Sequence, residues 1–264
     1  MAEPAVVVQL DPERNHGSGW VDLPLWRRRV GYIRACRDQP TVAALIEGVG
    51  LGKTLTLELC LEAGDIDVLV TMHRLNATLE RGTRAIYAGV GGHGMPRSAS
   101  GQSLMFGIEE ALAAMRRDDQ VPVLGFDEAQ FMTMGLLDIC RYLYDRGLCS
   151  LVLAGNPRFN LTREGMEPLW RRIQHGYFMF VETAPQEDID AFLDARRIAA
   201  PHARALLGDV AHGSGFAGID DTIARARQLG GKAVPSLGDL EAALRTMPFL
   251  TAPAAPAPAR RRNA

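Results

Sequence analysis

A chain of 264 residues, 47% hydrophobic and 23% charged, carries enough apolar material for one large core and a small appendage, which excludes wholesale disorder. Its 29 Lys and Arg nearly balance 31 Asp and Glu, and the formal charge of -2 excludes a bulk pull toward nucleic acid or membrane; any polyanion site must be local. Residues 1–15 lack the basic-then-apolar order of a secretory signal, and no run approaches the ~20 apolar residues that span a bilayer. Cys36, Cys60, Cys140 and Cys149 stand singly among apolar neighbours, so they read as buried thiols of a cytoplasmic protein.

Residues 1–22 hold Asn15-His16-Gly17-Ser18-Gly19 and no sustained period, and read as a flexible arm. From Leu23 to Arg37 the residues Leu25, Trp26, Val30, Ile33 and Ala35 recur at near-helical spacing. Thr41 to Glu47 is an apolar strand running into a glycine-rich turn; a helix over Lys53 to Glu62 and a strand over Val68 to Met72 follow. The next thirty residues, with Gly89-Val90-Gly91-Gly92 and several arginines, form the least regular part. Helix Leu104 to Arg117, strand Val121 to Phe126, helix Phe131 to Arg146, strand Ser150 to Ala154 and strand Tyr177 to Val181 then alternate as parallel strands with crossover helices do. Past Pro185 the pattern is helical only: Gln186 to Arg197, Pro201 to Ala211, Gly218 to Leu229 and Ser236 to Thr246. The expected division is an arm over 1–22, an α/β core over 23–184, a helical lid over 185–247 and a disordered Pro/Ala/Arg tail over 248–264.

Three strand ends carry chemistry. Gly48-Val49-Gly50-Leu51-Gly52-Lys53-Thr54-Leu55 lies between a strand and a helix, the context of a phosphate-binding loop. Its glycines let backbone N–H groups curl toward phosphate oxygens at a helix N-terminus. Lys53 would reach the β- and γ-phosphates of ATP, and the Thr54 hydroxyl would ligate Mg²⁺. Glu47 stands where the usual GxxxxGK[ST] pattern opens with glycine; two readings stay open, that the neighbouring Gly48 absorbs the turn or that an acid beside a triphosphate weakens affinity. The apolar run Val121 to Phe126 ends in Asp127-Glu128, one acid for the Mg²⁺ shell and one to orient or deprotonate water. Leu151 to Gly155 leads to Asn156, an amide for the γ-phosphate or the water and equally a turn starter before Pro157. Leu169-Trp170-Arg171-Arg172-Ile173 puts two guanidinium groups at a helix end before the last strand.

Taken in this order, the loop, the Asp-Glu strand, the Asn strand, the arginine and the helical lid resemble the AAA+ ATPases over roughly Leu23 to Met247. The Asp127-Glu128-Ala129-Gln130 spelling and the compact size are similar to the branch holding the Mu-type transposition protein B, its Tn7-type relative and the IstB-like helper ATPases. That resemblance implies an AAA+ P-loop core with a parallel sheet flanked by helices plus a small C-terminal helical subdomain. It implies ATP-dependent assembly as an oligomer or filament on double-stranded DNA without strong sequence specificity. It implies too the recruitment or activation of a DDE transposase, which stimulates hydrolysis. On the family's pattern, Lys53, Thr54, Asp127, Glu128 and Asn156 are the phosphate-loop pair, the Mg²⁺ acid, the catalytic glutamate and the sensor. Arg172, directly before Ile173, is the finger that completes a neighbour's site, with Arg171 in the place of the family's serine. The family's second sensor arginine has no counterpart in Gly213-Ser214-Gly215-Phe216-Ala217-Gly218. DNA contacts fall between the phosphate loop and the Asp-Glu strand, on Arg74, Arg81, Arg84 and Arg97, and the tail's Arg260, Arg261 and Arg262 could add nonspecific affinity. Two alternatives stand beside this: a secretion-type ATPase, which shares the Asp-Glu-Ala-Gln strand but carries a membrane span and a peptidoglycan-binding part, and a nucleotide-locked adaptor with little hydrolysis.

Overall fold

The structure, a computed structural model, describes residues 21–74, 77–93, 98–117, 120–161, 164–174 and 176–247. The expected arm up to residue 20 and the tail from residue 248 lie outside the described residues. The described residues form two compact units, one made of residues 21–48 with residues from Gly52 to Glu182, the other of Val49–Leu51 with residues 183–247.

In the first unit, helix α1 (Pro24–Asp38) opens on a proline, which needs no amide hydrogen in the first turn. Strand β1 (Val42–Glu47), helix α2 (Lys53–Glu62) and strand β2 (Val68–Thr71) follow. Helices α3 (Leu79–Gly89) and α4 (Gly101–Met115) come next, capped by Thr78 and Ser100, whose hydroxyls accept from the amides of Arg81 and Ser103. Strand β3 (Val123–Asp127), a 3₁₀ turn (Ala129–Phe131), helix α5 (Met134–Asp145), strand β4 (Ser150–Gly155), helix α6 (Glu167–Gln174) and strand β5 (Tyr177–Val181) complete the unit.

All five strands are parallel, in the order β2-β3-β4-β1-β5. Strands β1, β3 and β4 are buried at every residue, which is why they read as unbroken apolar runs: a parallel sheet is covered on both faces. Side chains of Val42, Ala44, Ile46, Leu124, Phe126, Leu151 and Leu153 share one apolar cluster with Ile86, Ile108, Leu112, Leu136 and Ile173 from α3 to α6. Helix α1 packs on β1 and β4, and α2 on β2 and β3. The register sets Ile46 beside Gly155 and Leu153 beside Phe126, so the segments following β1, β3 and β4 emerge together at one edge of the sheet. That edge is where open α/β sheets bind ligands.

One departure from the expected elements has a physical cause. Helix α3 occupies the stretch expected to be irregular; of the residues it buries, Gly82, Thr83 and Ile86, only Ile86 is large and apolar. Gly82 is needed there, because a β-carbon would lie 2.5 Å from a methyl of Leu136. In the second unit, after α7 (Gln186–Ala195), the two expected helices adjoin within Pro201–Gly230, labelled α8 as a whole, and are separated by a break at Gly215, whose φ 67° and ψ -165° are not helical. Within that unit the Ala217 amide donates to the Gly50 carbonyl at 3.2 Å. Helix α9 (Leu237–Arg245), with a capping box between Ser236 and Asp239, closes the described chain and packs on α8. No described helix is long and apolar enough to cross a membrane. All four cysteines are buried, and burial pushes the thiols of Cys36 and Cys60 up to about 12, so they are inert.

The approach to β5 is tight: a β-carbon on Gly176 would lie 2.2 Å from the Val42 carbonyl oxygen, whereas one on Gly208 in α8 meets nothing within 4 Å. Gly176→Ala is expected to cost about 1–3 kcal/mol through overpacking. Gly208→Ala should instead stabilise by roughly 0.5–1 kcal/mol, as alanine does within a helix. Denaturant unfolding of the two variants checks the pair, and equal midpoints would contradict this packing.

Candidate nucleotide-binding site

The loop after β1 has the backbone that phosphate cradling requires, with Gly50 at φ 77° and Gly52 at φ 89°, both in the left-handed region that favours glycine. Val49 at its tip is 76% exposed, whereas Leu51 is buried and Leu55 half-buried. Lys53, the first residue of α2, is buried and donates from Nζ to the carbonyl oxygens of Glu47 at 2.9 Å and Gly48 at 2.7 Å. Burial pushes the Lys53 pKa down and the nearby Arg29 adds to this, while Glu47, Asp127 and Glu128 oppose it. The ammonium thus folds back onto the loop's own carbonyls. It is placed to exchange those two acceptors for phosphate oxygens.

Glu47, the acid at the loop's first position, has a charged partner of its own. Its carboxylate is fully buried and accepts from Arg29 on α1, with Nε at 2.8 Å from Oε1 and Nη2 at 2.5 Å from Oε2. The same guanidinium donates from Nη1 to Thr56 Oγ1 at 3.2 Å, and that hydroxyl donates to the Gly52 carbonyl at 2.9 Å. One arginine therefore ties the residue before the loop to the residue at its end.

Across the sheet edge, Thr54 Oγ1 donates to Asp127 Oδ2 at 2.6 Å. A hydroxyl and a buried carboxylate converging from two separated motifs supply the hard oxygen donors that suit Mg²⁺, with waters and phosphates completing an octahedron. Among the described residues there is no cluster of three His, Cys, Asp or Glu that could hold a metal. Glu128 follows with φ 56° and ψ 38°, a left-handed conformation that costs a non-glycine residue roughly 1–3 kcal/mol and concentrates at functional sites. Its amide donates to Asp127 Oδ1 at 2.8 Å, and its Oε2 accepts from the side-chain amide of Gln130. Gln130 Oε1 in turn accepts from the Asn156 backbone amide at 3.1 Å. Asn156 Oδ1 takes the Arg158 amide at 2.9 Å, so the side chain does serve its turn.

Residues 37–162, which span the loop, the acid pair and the amide, match the family model described as AAA domain. No curated protein sequence matches the chain. Among solved structures, the Orc1 protein of Aeropyrum pernix in complex with DNA is similar with a TM-score of 0.58 at 18% identity, over 84% of this chain and 64% of that one. Cdc6p of Pyrobaculum aerophilum gives a TM-score of 0.59 at 16% identity, over 85% of this chain and 68% of that one. Domain III of the replication initiation protein DnaA of Thermotoga maritima gives 0.50 at 14%, over 86% of this chain and 94% of that one. The fold is that of an AAA+ P-loop ATPase.

The arginines on this fold differ in their contacts and exposure. Arg172 is bidentate to Asp145, from Nε at 2.8 Å and Nη2 at 2.7 Å, and donates to the Pro168 carbonyl at 2.6 Å. Its guanidinium is spent within its own subunit, whereas Arg171 on the same helix is exposed. Of the residues expected to meet DNA, Arg84 pairs with Glu80 at 3.1 Å and reaches the Ala99 carbonyl at 3.4 Å. Arg74 lies 5.8 Å over the Phe131 ring and Arg81 is exposed on α3. Arg97 lies outside the described residues. The sequence reading missed Arg29 and Gln130. Arg29 had a legible signal: it stands midway between Leu25 and Ile33 on the apolar stripe of α1, where an unpaired charge would be untenable.

Breaking a buried pair leaves the surviving charge without its partner. Arg29→Met is expected to cost about 3–5 kcal/mol in denaturant unfolding. Adding Glu47→Leu should recover most of that loss, because no orphaned carboxylate remains. A double variant no more stable than Arg29→Met would show that the pair is not what roots the loop.

Proposed function

We propose that this chain is a Mg²⁺-dependent ATPase that assembles on double-stranded DNA as an oligomer and recruits or activates a DDE transposase. The observation that carries the ATPase reading is the 2.6 Å contact between Thr54 Oγ1 and Asp127 Oδ2, which joins the phosphate loop to the acid strand. Gly48, whose own amide donates to the Val181 carbonyl at 2.8 Å, would open the loop; the backbone amides after it, up to Leu55, would cradle the phosphates of ATP, and Lys53 would leave the Glu47 and Gly48 carbonyls to meet them. Bound Mg²⁺ would neutralise phosphate charge between Thr54 and Asp127. Glu128 is the residue to orient water and take its proton, with Asn156 beside it at the end of β4. Arg171 is the better candidate for the finger, since it is exposed and Arg172 is bound to Asp145.

Support for DNA comes from the exposed Arg74 and Arg81 after β2, and from the likeness to an Orc1 structure that contains DNA. Support for the transposase comes from the Asp-Glu-Ala-Gln spelling, the short helix before the first strand and the compact size. Fluorescence anisotropy of random-sequence duplex DNA should show tight binding with ATP, little with ADP and little for Lys53→Ala. The log-log salt slope should be about -0.9 for each phosphate contacted. Equal binding in all three states, or none, would remove DNA from the proposal. Glu128→Gln should lower the hydrolysis rate by roughly 10²–10⁴-fold with nucleotide affinity intact. An unchanged rate would remove Glu128 from its role.

A further inference from the structure

Gln130 holds no place in the chemistry described so far, yet it touches both halves of the site. Its amide nitrogen donates to Glu128 Oε2 and its amide oxygen accepts from the Asn156 backbone N–H at 3.1 Å. A side-chain amide has one donor end and one acceptor end, so these two bonds fix its orientation: nitrogen toward the acid, oxygen toward β4. The seat is shaped for it. A β-carbon on Gly155 would come within 3.0 Å of the Gln130 amide oxygen and 3.5 Å of its backbone nitrogen, so glycine at the end of β4 leaves the room that the amide occupies. The backbone contributes as well: the left-handed turn at Glu128, with its amide bonded to Asp127 Oδ1, and the 3₁₀ turn after it bring residue 130 back beside residue 128.

We propose that Gln130 is the positioning residue for Glu128, an amide clamp that fixes the carboxylate relative to the end of β4 and thereby relative to Asn156. This deepens the ATPase reading and rests on it. A glutamate side chain has three rotatable bonds, and an acid that swings among rotamers presents its oxygen to an attacking water only part of the time. A group held within reach of its proton acceptor contributes far more than a mobile one. The clamp gives Glu128 one fixed donor at Oε2 and leaves Oε1 for water. It also links that orientation to the strand whose end carries Asn156, so a γ-phosphate drawing on Asn156 would be felt at Glu128 through one hydrogen-bonded side chain.

Two substitutions separate this role from packing. Gln130→Glu keeps the shape and an oxygen acceptor for the Asn156 amide but replaces the donor to Glu128 with a repelling oxygen, whereas Gln130→Ala removes both bonds. Both variants are expected to lower kcat by about tenfold or more, the scale of a lost transition-state interaction. KM and the affinity for a fluorescent ADP analogue should stay within about twofold, since neither bond belongs to the phosphate loop. Wild-type kcat in Gln130→Glu would overturn the proposal, because packing and the β4 tether alone would then suffice. Loss of ADP binding together with kcat would overturn it as well, marking a structural role. A double-mutant cycle of Gln130→Ala with Glu128→Ala on thermal unfolding reads the same pair without turnover. Coupling between the two supports the clamp, and strict additivity overturns it. If the wild-type chain binds ATP and hydrolyses none while the cycle shows coupling, the ATPase reading fails and the clamp stands as a contact.

Discussion

The phosphate loop is held at both ends by one buried guanidinium. Arg29 takes the whole carboxylate of Glu47, the last residue of β1, and through Thr56 reaches the carbonyl of Gly52, the residue that turns the loop into α2. A buried charge pair stabilises only when its geometry is good and its remaining hydrogen-bonding groups are satisfied. Here the fork of the guanidinium matches the carboxylate and its third nitrogen meets a hydroxyl, so both conditions hold. Helix α1, strand β1 and helix α2 are thereby registered to one another. Between the two tied points Leu51 is buried, and Gly50 and Gly52 take the left-handed conformations that let the loop curl. The glutamate that departs from the usual loop pattern is the anchor of the loop rather than an intruder in it.

A second layer of contacts is built from bonds that a ligand can exchange. Lys53 is satisfied by two carbonyls, and Thr54 by Asp127. Each is a polar group in a partly dry site that would be costly unpaired, and each has its natural replacement in a phosphate oxygen or a metal ion. Binding would therefore trade hydrogen bonds of similar strength while adding charge neutralisation, which asks little reorganisation of the strands. The strained backbone at Glu128 belongs to the same economy of motion: its turn sets the acid and Gln130 side by side before any ligand arrives.

Much of this could be read from the chain. Val42 to Glu47, Val123 to Asp127 and Ser150 to Gly155 announced themselves as strands because both faces of the sheet are covered, and their chemically distinct ends announced the site. Helix α3 escaped because Ile86 is the one large apolar residue among its buried Gly82, Thr83 and Ile86, whereas the break at Gly215 within α8 was legible because glycines mark it. The pairing of Arg29 with Glu47 joins two charges that sit in otherwise apolar patterns, a clue visible separately in each segment but only together in three dimensions. Which of Arg171 and Arg172 is engaged depends on Asp145, twenty-seven positions away, and no local pattern carries that.

We infer that Lys53, Thr54 and Asp127 form one site for a nucleotide and its metal. Titration calorimetry of ATP into the intact chain, once with Mg²⁺ and once with a chelator, tests it most directly. The expected result is one site per chain, with affinity improved about tenfold or more when Mg²⁺ is present, equivalent to about 1.4 kcal/mol. No binding, or the same affinity with and without the metal, would contradict it.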